Sequence, residues 1–156
     1  MFAEFGSIST GTMRYDDLLP TFADELERLN KLAKTGIAGG NTNAIEDARK
    51  VTDFDSEETQ WTMDELFDYL NDYAPPYAYF GAHPGDGSDY GFWLSEDVQQ
   101  EVTDNGGTIG DETPDNNTES GECLVISDHG NMTLYGWQPN ANRITGSHWQ
   151  EVWAIV

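Results

Sequence analysis

One long stretch of this chain is strongly acidic and yet carries the residues of a folded core. Residues 51–142 contain no Lys and no Arg, although they hold 20 of the chain's 29 Asp and Glu residues. Their middle reads APPYAYFGAHPGDGSDYGFWLS, a run rich in aromatic side chains. Because an unpaired carboxylate is costly to bury, the stretch has to bury its rings while it keeps its acids in water.

Composition indicates a folded chain in spite of the charge. The 156 residues fit one domain, and 12% of them are aromatic, including five Trp. Disordered acidic proteins are poor in aromatic residues. We therefore expect a single domain, 1–156, with a helical part to about residue 74 and strands after it.

The net charge limits the class of partner. A formal charge of -22 repels nucleic acid and anionic membranes, so neither is expected as a direct partner. The same charge attracts basic proteins and speeds their association at low salt. The composition thus favours a protein partner with a basic surface.

Catalytic and targeting motifs are missing from the sequence. It contains no Ser-centred nucleophile elbow, phosphate loop or dinucleotide fingerprint, so neither an enzyme nor a cofactor is predicted. The single Cys123 has no flanking cation that would activate it and is expected to be a small buried residue. Because one cysteine allows no internal disulfide and the N-terminus shows no leader pattern, the sequence favours the cytoplasm.

Apolar spacing predicts helices in the first half. A stripe of apolar residues at spacings of three and four indicates a helix from Asp16 to Lys34. Residues 35–43 are typical of a flexible linker, and a short helix from Ala44 to Val51 follows. Thr62 and Glu65 have capping-box spacing, which predicts that a second main helix begins at Thr62 and ends before Pro75.

The second half changes to the two-residue period of strands. Hairpins are predicted from residues 77–82 and 90–94, and from residues 123–127 and 132–137, with a final strand over residues 149–156. A short helix from Ser95 to Glu101 and a long mobile acidic loop, 103–122, lie between the hairpins. We expect an α+β fold, with an antiparallel sheet of four to five strands and two main helices on one face.

Carboxylates recur regularly along the second main helix. Asp64, Asp68 and Asp72 are four residues apart, which places them about 6 Å apart along the helix axis. Phosphates along a nucleic-acid strand have spacing of the same order. These three acids are therefore predicted to bind the Lys and Arg side chains of a partner, together with four acids of the preceding loop: Asp53, Asp55, Glu57 and Glu58. A plain solvated helix surface and general adaptation to high salt are the alternatives.

Two turns that contain histidine offer a different function. If the turns met at one end of a sheet, their side chains could bind a divalent metal or act as acid and base. The four residues are His83, Asp86, Asp89 and His129. Asp, Gly and Pro are also the residues that turns need for structural reasons, so an ordinary pair of turns is the competing interpretation.

An exposed aromatic side chain is expected to anchor a basic partner. Phe92 and Trp93 are adjacent in a strand and cannot both face the core, and Trp137 lies near the end of a hairpin. An aromatic ring beside carboxylates suits the Arg side chains of a protein partner.

Four stretches of the chain resemble a family of small proteins encoded by phages and other mobile elements. They read ISTGTMRYDDLLPTF, YFGAHPGDGSDYGFW, SDHGNMTLY and EVWAIV. In charge and size the chain is also similar to the phage nucleic-acid mimics that block restriction enzymes or CRISPR effector complexes. The resemblance implies a class of function, an inhibitor in the host cytoplasm. Together with the acidic surface, it leads us to expect that the protein occupies the basic nucleic-acid channel of such a complex, with a CRISPR effector as the first candidate.

Overall fold

The chain divides into two compact units. The computed structural model describes residues 1–33, 40–115, 120–140, 142 and 146–156. The units are Met1–Leu94 and Ser95–Val156. The sequence predicts one domain, with a helical part that ends near residue 74. In the structure, the first unit contains the first hairpin as well as the N-terminal helices.

The first unit combines three helices with a small sheet. Its elements are β1 (Gly6–Ser9), α1 (Tyr15–Leu32), α2 (Gly40–Lys50), α3 (Glu57–Asn71), β2 (Ala78–His83) and β3 (Asp86–Leu94). The sheet has the order β1-β3-β2, and both pairings are antiparallel. A Cβ at Gly91 would lie 2.1 Å from the carbonyl oxygen of Gly6, so only glycine lets β1 approach β3 here.

An aromatic cluster forms the centre of this first unit. Phe22 of α1 is fully buried, and its ring centroid lies 5.5 Å from that of Phe67 in α3 and 5.0 Å from that of Phe80 in β2. Both contacts are edge-on, the arrangement that aromatic pairs favour. The apolar stripe predicted along α1 packs into this core, which confirms the first helix. The buried apolar residues of α3 belong to the same core, so this side of α3 faces inward.

The second main helix begins earlier than its sequence predicts. α3 starts at Glu57 with Ser56 as N-cap, whose Oγ accepts a hydrogen bond from the Thr59 backbone N at 3.2 Å. Thr62 does not cap the helix, because its side chain is buried and its hydroxyl donates to the Glu58 carbonyl at 3.0 Å. The capping-box prediction is therefore wrong.

The first half of the chain shows a second shift in helix bounds. The predicted linker, 35–43, ends inside α2, and the rest of it lies outside the described residues.

The second unit contains a short helix and the other sheet. Its elements are α4 (Val98–Asp104), β4 (Thr108–Gly110), β5 (Glu122–Ile126), β6 (Met132–Trp137) and β7 (Trp149–Ile155). The strand order is β4-β5-β6-β7, with β4 parallel to β5 and the other pairs antiparallel. Cys123 is buried, as predicted, and so is Trp153 of the final strand.

Two predictions in this unit need correction. The short helix expected from Ser95 begins at Val98. The Ser95 hydroxyl lies in the turn before it, where it accepts a hydrogen bond from the Asp97 backbone N and donates one to the Glu101 carboxylate in the helix. The predicted loop, 103–122, contains the end of α4 and all of β4, and its residues 116–119 lie outside the described ranges.

The α+β class is confirmed, but the single sheet is not. The described residues contain four helices and two sheets, one of three strands and one of four. Alternating polarity identifies strands and the side that each one buries, but it does not identify the neighbouring strand. The first hairpin is joined by β1 from the N-terminal end, and the second is flanked by β4 and β7, which gives two sheets in place of one.

Candidate acidic interface

The loop before α3 holds its carboxylates in a defined turn. The Asp53 carboxylate accepts a hydrogen bond from the Asp55 backbone N at 3.2 Å, and the Asp53 carbonyl accepts from the Thr59 hydroxyl at 2.6 Å. Thr59 is buried, so this turn is tied to the inner side of the helix. The Asp53 and Asp55 side chains remain exposed on its outer side.

The outward side of α3 is almost entirely acidic. An α-helix turns about 100° per residue, so six exposed carboxylates of α3 and its C-cap fall within an arc of about 120°. We call this set the acidic face, and it consists of Glu57, Glu58, Asp64, Glu65, Asp68 and Asp72. The buried residues of the helix lie on the opposite side: Thr59, Thr62, Met63, Leu66 and Leu70.

Trp61 is the aromatic residue of the acidic face, and sequence reasoning missed it. Its side chain is 67% exposed. The helix positions three and four residues away on either side are all acidic, namely Glu57, Glu58, Asp64 and Glu65. That pattern is visible in the sequence and identifies Trp61 as the centre of the face.

The aromatic anchors predicted in β3 fit the role less well. Phe92 is fully buried, and the Trp93 indole N donates to the Gly81 carbonyl at 3.0 Å. Trp137, in the second unit, is half-buried and stacks on His148 with a centroid distance of 5.2 Å. Trp61 is the only one of these four rings that is exposed.

Positive charges are paired away from the acidic face. Five of the basic residues lie within the described ranges of the first unit, and each forms an ion pair with an acid of α1 or α2. The pairs are Arg14–Asp16, Arg28–Glu25, Lys31–Glu27, Arg49–Asp24, Arg49–Glu27, Lys50–Glu46 and Lys50–Asp47. Among described residues, no ion pair reaches α3 or the loop before it, so the negative potential there is not neutralised.

The helix dipole separates the acids of this face into two groups. Glu57 and Glu58 are in the first turn, where the partial positive charge of the helix N-terminus stabilises carboxylates. Asp68 and Asp72 lie at the C-terminal end, where the dipole opposes negative charge and the last turn has no basic residue. The first pair thus has a structural explanation, and the second pair costs stability where it stands.

The histidine turns are built from local hydrogen bonds. His83 Nδ1 accepts from the Gly85 backbone N at 2.9 Å, and the His83 ring packs edge-on against Trp93 with centroids 4.7 Å apart. Hydrogen bonds from the Ser88 backbone N, at 2.9 Å, and from its hydroxyl, at 2.8 Å, lower the pKa of Asp86. These contacts are those of an ordered turn.

The other two residues of the proposed metal set have different surroundings. Asp89 accepts from the Ser7 hydroxyl at 3.0 Å, while His129 is exposed in the turn between β5 and β6 of the second unit. Within the ranges that the structure describes, no three His, Cys, Asp or Glu side chains come together as metal ligands would.

Comparison of the chain with protein-family models, with curated proteins and with solved structures finds no match. Of the helices in the described ranges, none is long and apolar enough to cross a bilayer. The geometry and charge of the acidic face are therefore the observations that bear on function.

Proposed function

We propose that this protein is an inhibitor that binds, through the acidic face of α3 and the Asp53–Asp55 turn, the basic nucleic-acid channel of a host defence complex. A CRISPR effector is the first candidate partner, and a restriction complex is the second. The protein acts by occupying the channel, with no cofactor and no catalytic step.

The segregation of charge is the observation that carries this proposal. Each basic side chain in the described part of the first unit is paired on α1 or α2, while the acidic face has no ion pair among those residues. A partner's Lys and Arg side chains would supply the missing counter-charge. Complementary potentials of this kind speed association and set specificity.

Two exposed apolar side chains favour a protein partner over simple solvation of the surface. Trp61 lies within the acidic face, and Phe54 lies between Asp53 and Asp55 in the turn. Adaptation to salt requires carboxylates but has no need of an exposed indole among them. Trp is enriched among the residues that dominate binding energy at protein interfaces.

A pair of charge-matched triple variants tests the proposal. The first carries Asp64→Asn, Asp68→Asn and Asp72→Asn, and the second carries Asp24→Asn, Glu46→Gln and Asp47→Asn on α1 and α2. Each variant competes with target DNA for a guide-loaded CRISPR effector or for a restriction complex, and fluorescence anisotropy follows the DNA. We expect the first to lose about thirtyfold in affinity and the second to change little, since three exposed charges contribute up to about 1 kcal/mol each.

The salt dependence supplies the control. Inhibition by the wild-type protein should weaken steeply as NaCl rises, because exposed charge pairs are screened. Equal inhibition by the parent and the first triple variant would exclude the acidic face as the binding surface. Unfolding of the wild-type protein at low salt, with recovery in concentrated KCl, would instead support salt adaptation.

A further inference from the structure

A cavity lies beside the acidic face, between the start of α1, the middle of α3 and strand β3. Its volume is about 330 Å³. Three aromatic side chains line it, together with two carboxylates of the acidic face: Tyr15, Phe67, Tyr90, Asp64 and Asp68. The cavity thus combines ring surfaces with negative charge.

The aromatic walls are held rigidly by the core. The rings of Phe67 and Tyr90 stand nearly perpendicular, with an interplanar angle of 86° and centroids 6.0 Å apart. Both pack edge-on against Phe22, which is fully buried, at centroid distances of 5.5 and 5.7 Å. A site whose walls are already fixed loses little entropy when it binds a side chain.

The polar side-chain groups that line the cavity can accept hydrogen bonds, and none of them has a donor among the described residues. Asp64 and Asp68 are one helical turn apart and exposed, and neither carboxylate has an ion pair or hydrogen bond in the described part of the chain. The hydroxyls of Tyr15 and Tyr90 likewise have no hydrogen-bond partner among the described residues. No basic side chain is among the described residues that line the cavity. The ligand that fits is a cation with several donors and a flat surface.

We propose that this cavity receives one arginine side chain from the basic partner. The inference rests on the proposed function and deepens it by assigning the site and the residue type that it recognises. A guanidinium group stacks on aromatic faces and presents five donors in a plane. It can therefore contact both carboxylates and the rings at once. A lysine ammonium is a compact, strongly hydrated charge that matches the carboxylates but gains less from the rings.

Two double variants with the same charge separate the cavity from the rest of the acidic face. Asp64→Asn with Asp68→Asn removes both carboxylates that line the cavity. Glu65→Gln with Asp72→Asn removes two charges from the same helix, and neither of these residues lines it. The probes are dye-labelled hexa-arginine and hexa-lysine peptides, whose binding is followed by fluorescence anisotropy.

The wild-type protein should bind hexa-arginine more tightly than hexa-lysine. We expect the cavity variant to lose about tenfold in affinity for hexa-arginine, together with its preference for arginine, since charge-assisted hydrogen bonds are lost. The control variant should lose about twofold for both peptides and keep the preference. Tyr15→Leu, which keeps the charge and removes one ring, should reduce the preference for arginine without changing the affinity for hexa-lysine.

The arginine cavity and the proposed function are excluded by different results. Equal losses in the two double variants, or equal affinity of the wild-type protein for the two peptides, would overturn the arginine cavity while the acidic face remained the binding surface. If the wild-type protein bound neither peptide at low salt, both the cavity and the proposed function would be excluded.

Discussion

Two regions of the first unit use the same residue type in opposite ways. On α1 and α2, carboxylates alternate with basic residues, and Arg49 joins the helices by binding Asp24 at 2.8 Å and Glu27 at 2.9 Å. On α3, six carboxylates share one side with Trp61, and no basic residue follows within 51–142. In the first region acids hold helices together, whereas in the second they face solvent and have no ion pair with the residues that the structure describes.

The contrast shows that acidity alone does not identify an interface. Glu27 and Asp68 are both helix residues of an acidic protein, but Glu27 is stabilised by Lys31 and Arg49 whereas Asp68 lies near the unfavourable end of a helix dipole. Carboxylates that lower stability where they stand need another reason to be there. Binding of a partner supplies one, and substitutions in the two regions should therefore have different effects.

The largest effect is expected from Trp61. Trp61→Ser should lower affinity for the basic partner about thirtyfold, which corresponds to the loss of about 2 kcal/mol typical of an interface hot spot. Stability should change little, because the side chain is 67% exposed. Titration calorimetry against the partner and chemical denaturation would measure the two quantities.

Leu32, at the end of α1, offers the matched control. It is 53% exposed and belongs to the region of paired charges. Leu32→Ser should leave affinity unchanged. If the two variants bound equally well, Trp61 would be an incidental exposed residue and the comparison of the two regions would lose its main support.

Much of the fold could be predicted from periodicity. The stripe along α1 and the alternation in both hairpins gave the correct element types, since side-chain period reports directly on the buried side. Pairing between distant strands could not be predicted in this way. β1 joins the first hairpin because Gly91 permits close approach, and that constraint depends on the three-dimensional position of Gly6.

The next largest effect concerns Glu25, the buried acid of α1, where carboxylates pair with basic residues. Glu25 is 8% exposed, and Arg28 donates two hydrogen bonds to its carboxylate, both at 2.7 Å. Arg28→Met leaves that carboxylate nearly buried and unpaired, so the free energy of unfolding should fall by about 1.5 kcal/mol. Urea denaturation monitored by circular dichroism would measure it.

A double replacement checks the cause. With Glu25→Leu and Arg28→Leu together, no charge remains unpaired, and the stability should return to within about 0.5 kcal/mol of the wild type. A double variant as unstable as Arg28→Met would mean that lost packing, and not the unpaired charge, explains the change.

A smaller effect of opposite sign is expected at the C-terminal end of α3. Asp68→Asn with Asp72→Asn should raise the free energy of unfolding by about 0.5–1 kcal/mol, because the helix dipole no longer opposes two charges. Glu57→Gln with Glu58→Gln removes the same charge from the favourable end and should lower it by a similar amount. If general self-repulsion dominated, both variants would be stabilised in thermal denaturation.

The candidate site was only partly predictable, and the reason lies in what sequence spacing reports. Asp64, Asp68 and Asp72 are on one exposed side, as the four-residue spacing predicts. Trp61 could not be recognised because the helix was predicted to begin at Thr62, one residue after it, whereas the helix begins at Glu57 and gives Trp61 acidic neighbours on either side. The cavity beside Tyr90 depends on the position of β3 against α1 and α3, which no local pattern encodes.

The smallest effect concerns the ion pairs that join α1 to α2. Hydrogen bonds from Arg49 and Lys31 hold the pKa of Glu27 below its ordinary value. Because the pKa of Glu27 is depressed on folding, its contribution to stability is present above the ordinary pKa of a glutamate and is lost as pH falls through the folded value.

Arg49→Met should raise the pKa of Glu27 part of the way back, since Lys31 remains at 3.1 Å. The stability difference between the variant and the wild type should therefore shrink on acidification. Carboxyl NMR titration would follow the pKa of Glu27, and an unchanged value would show that Lys31 alone sets it.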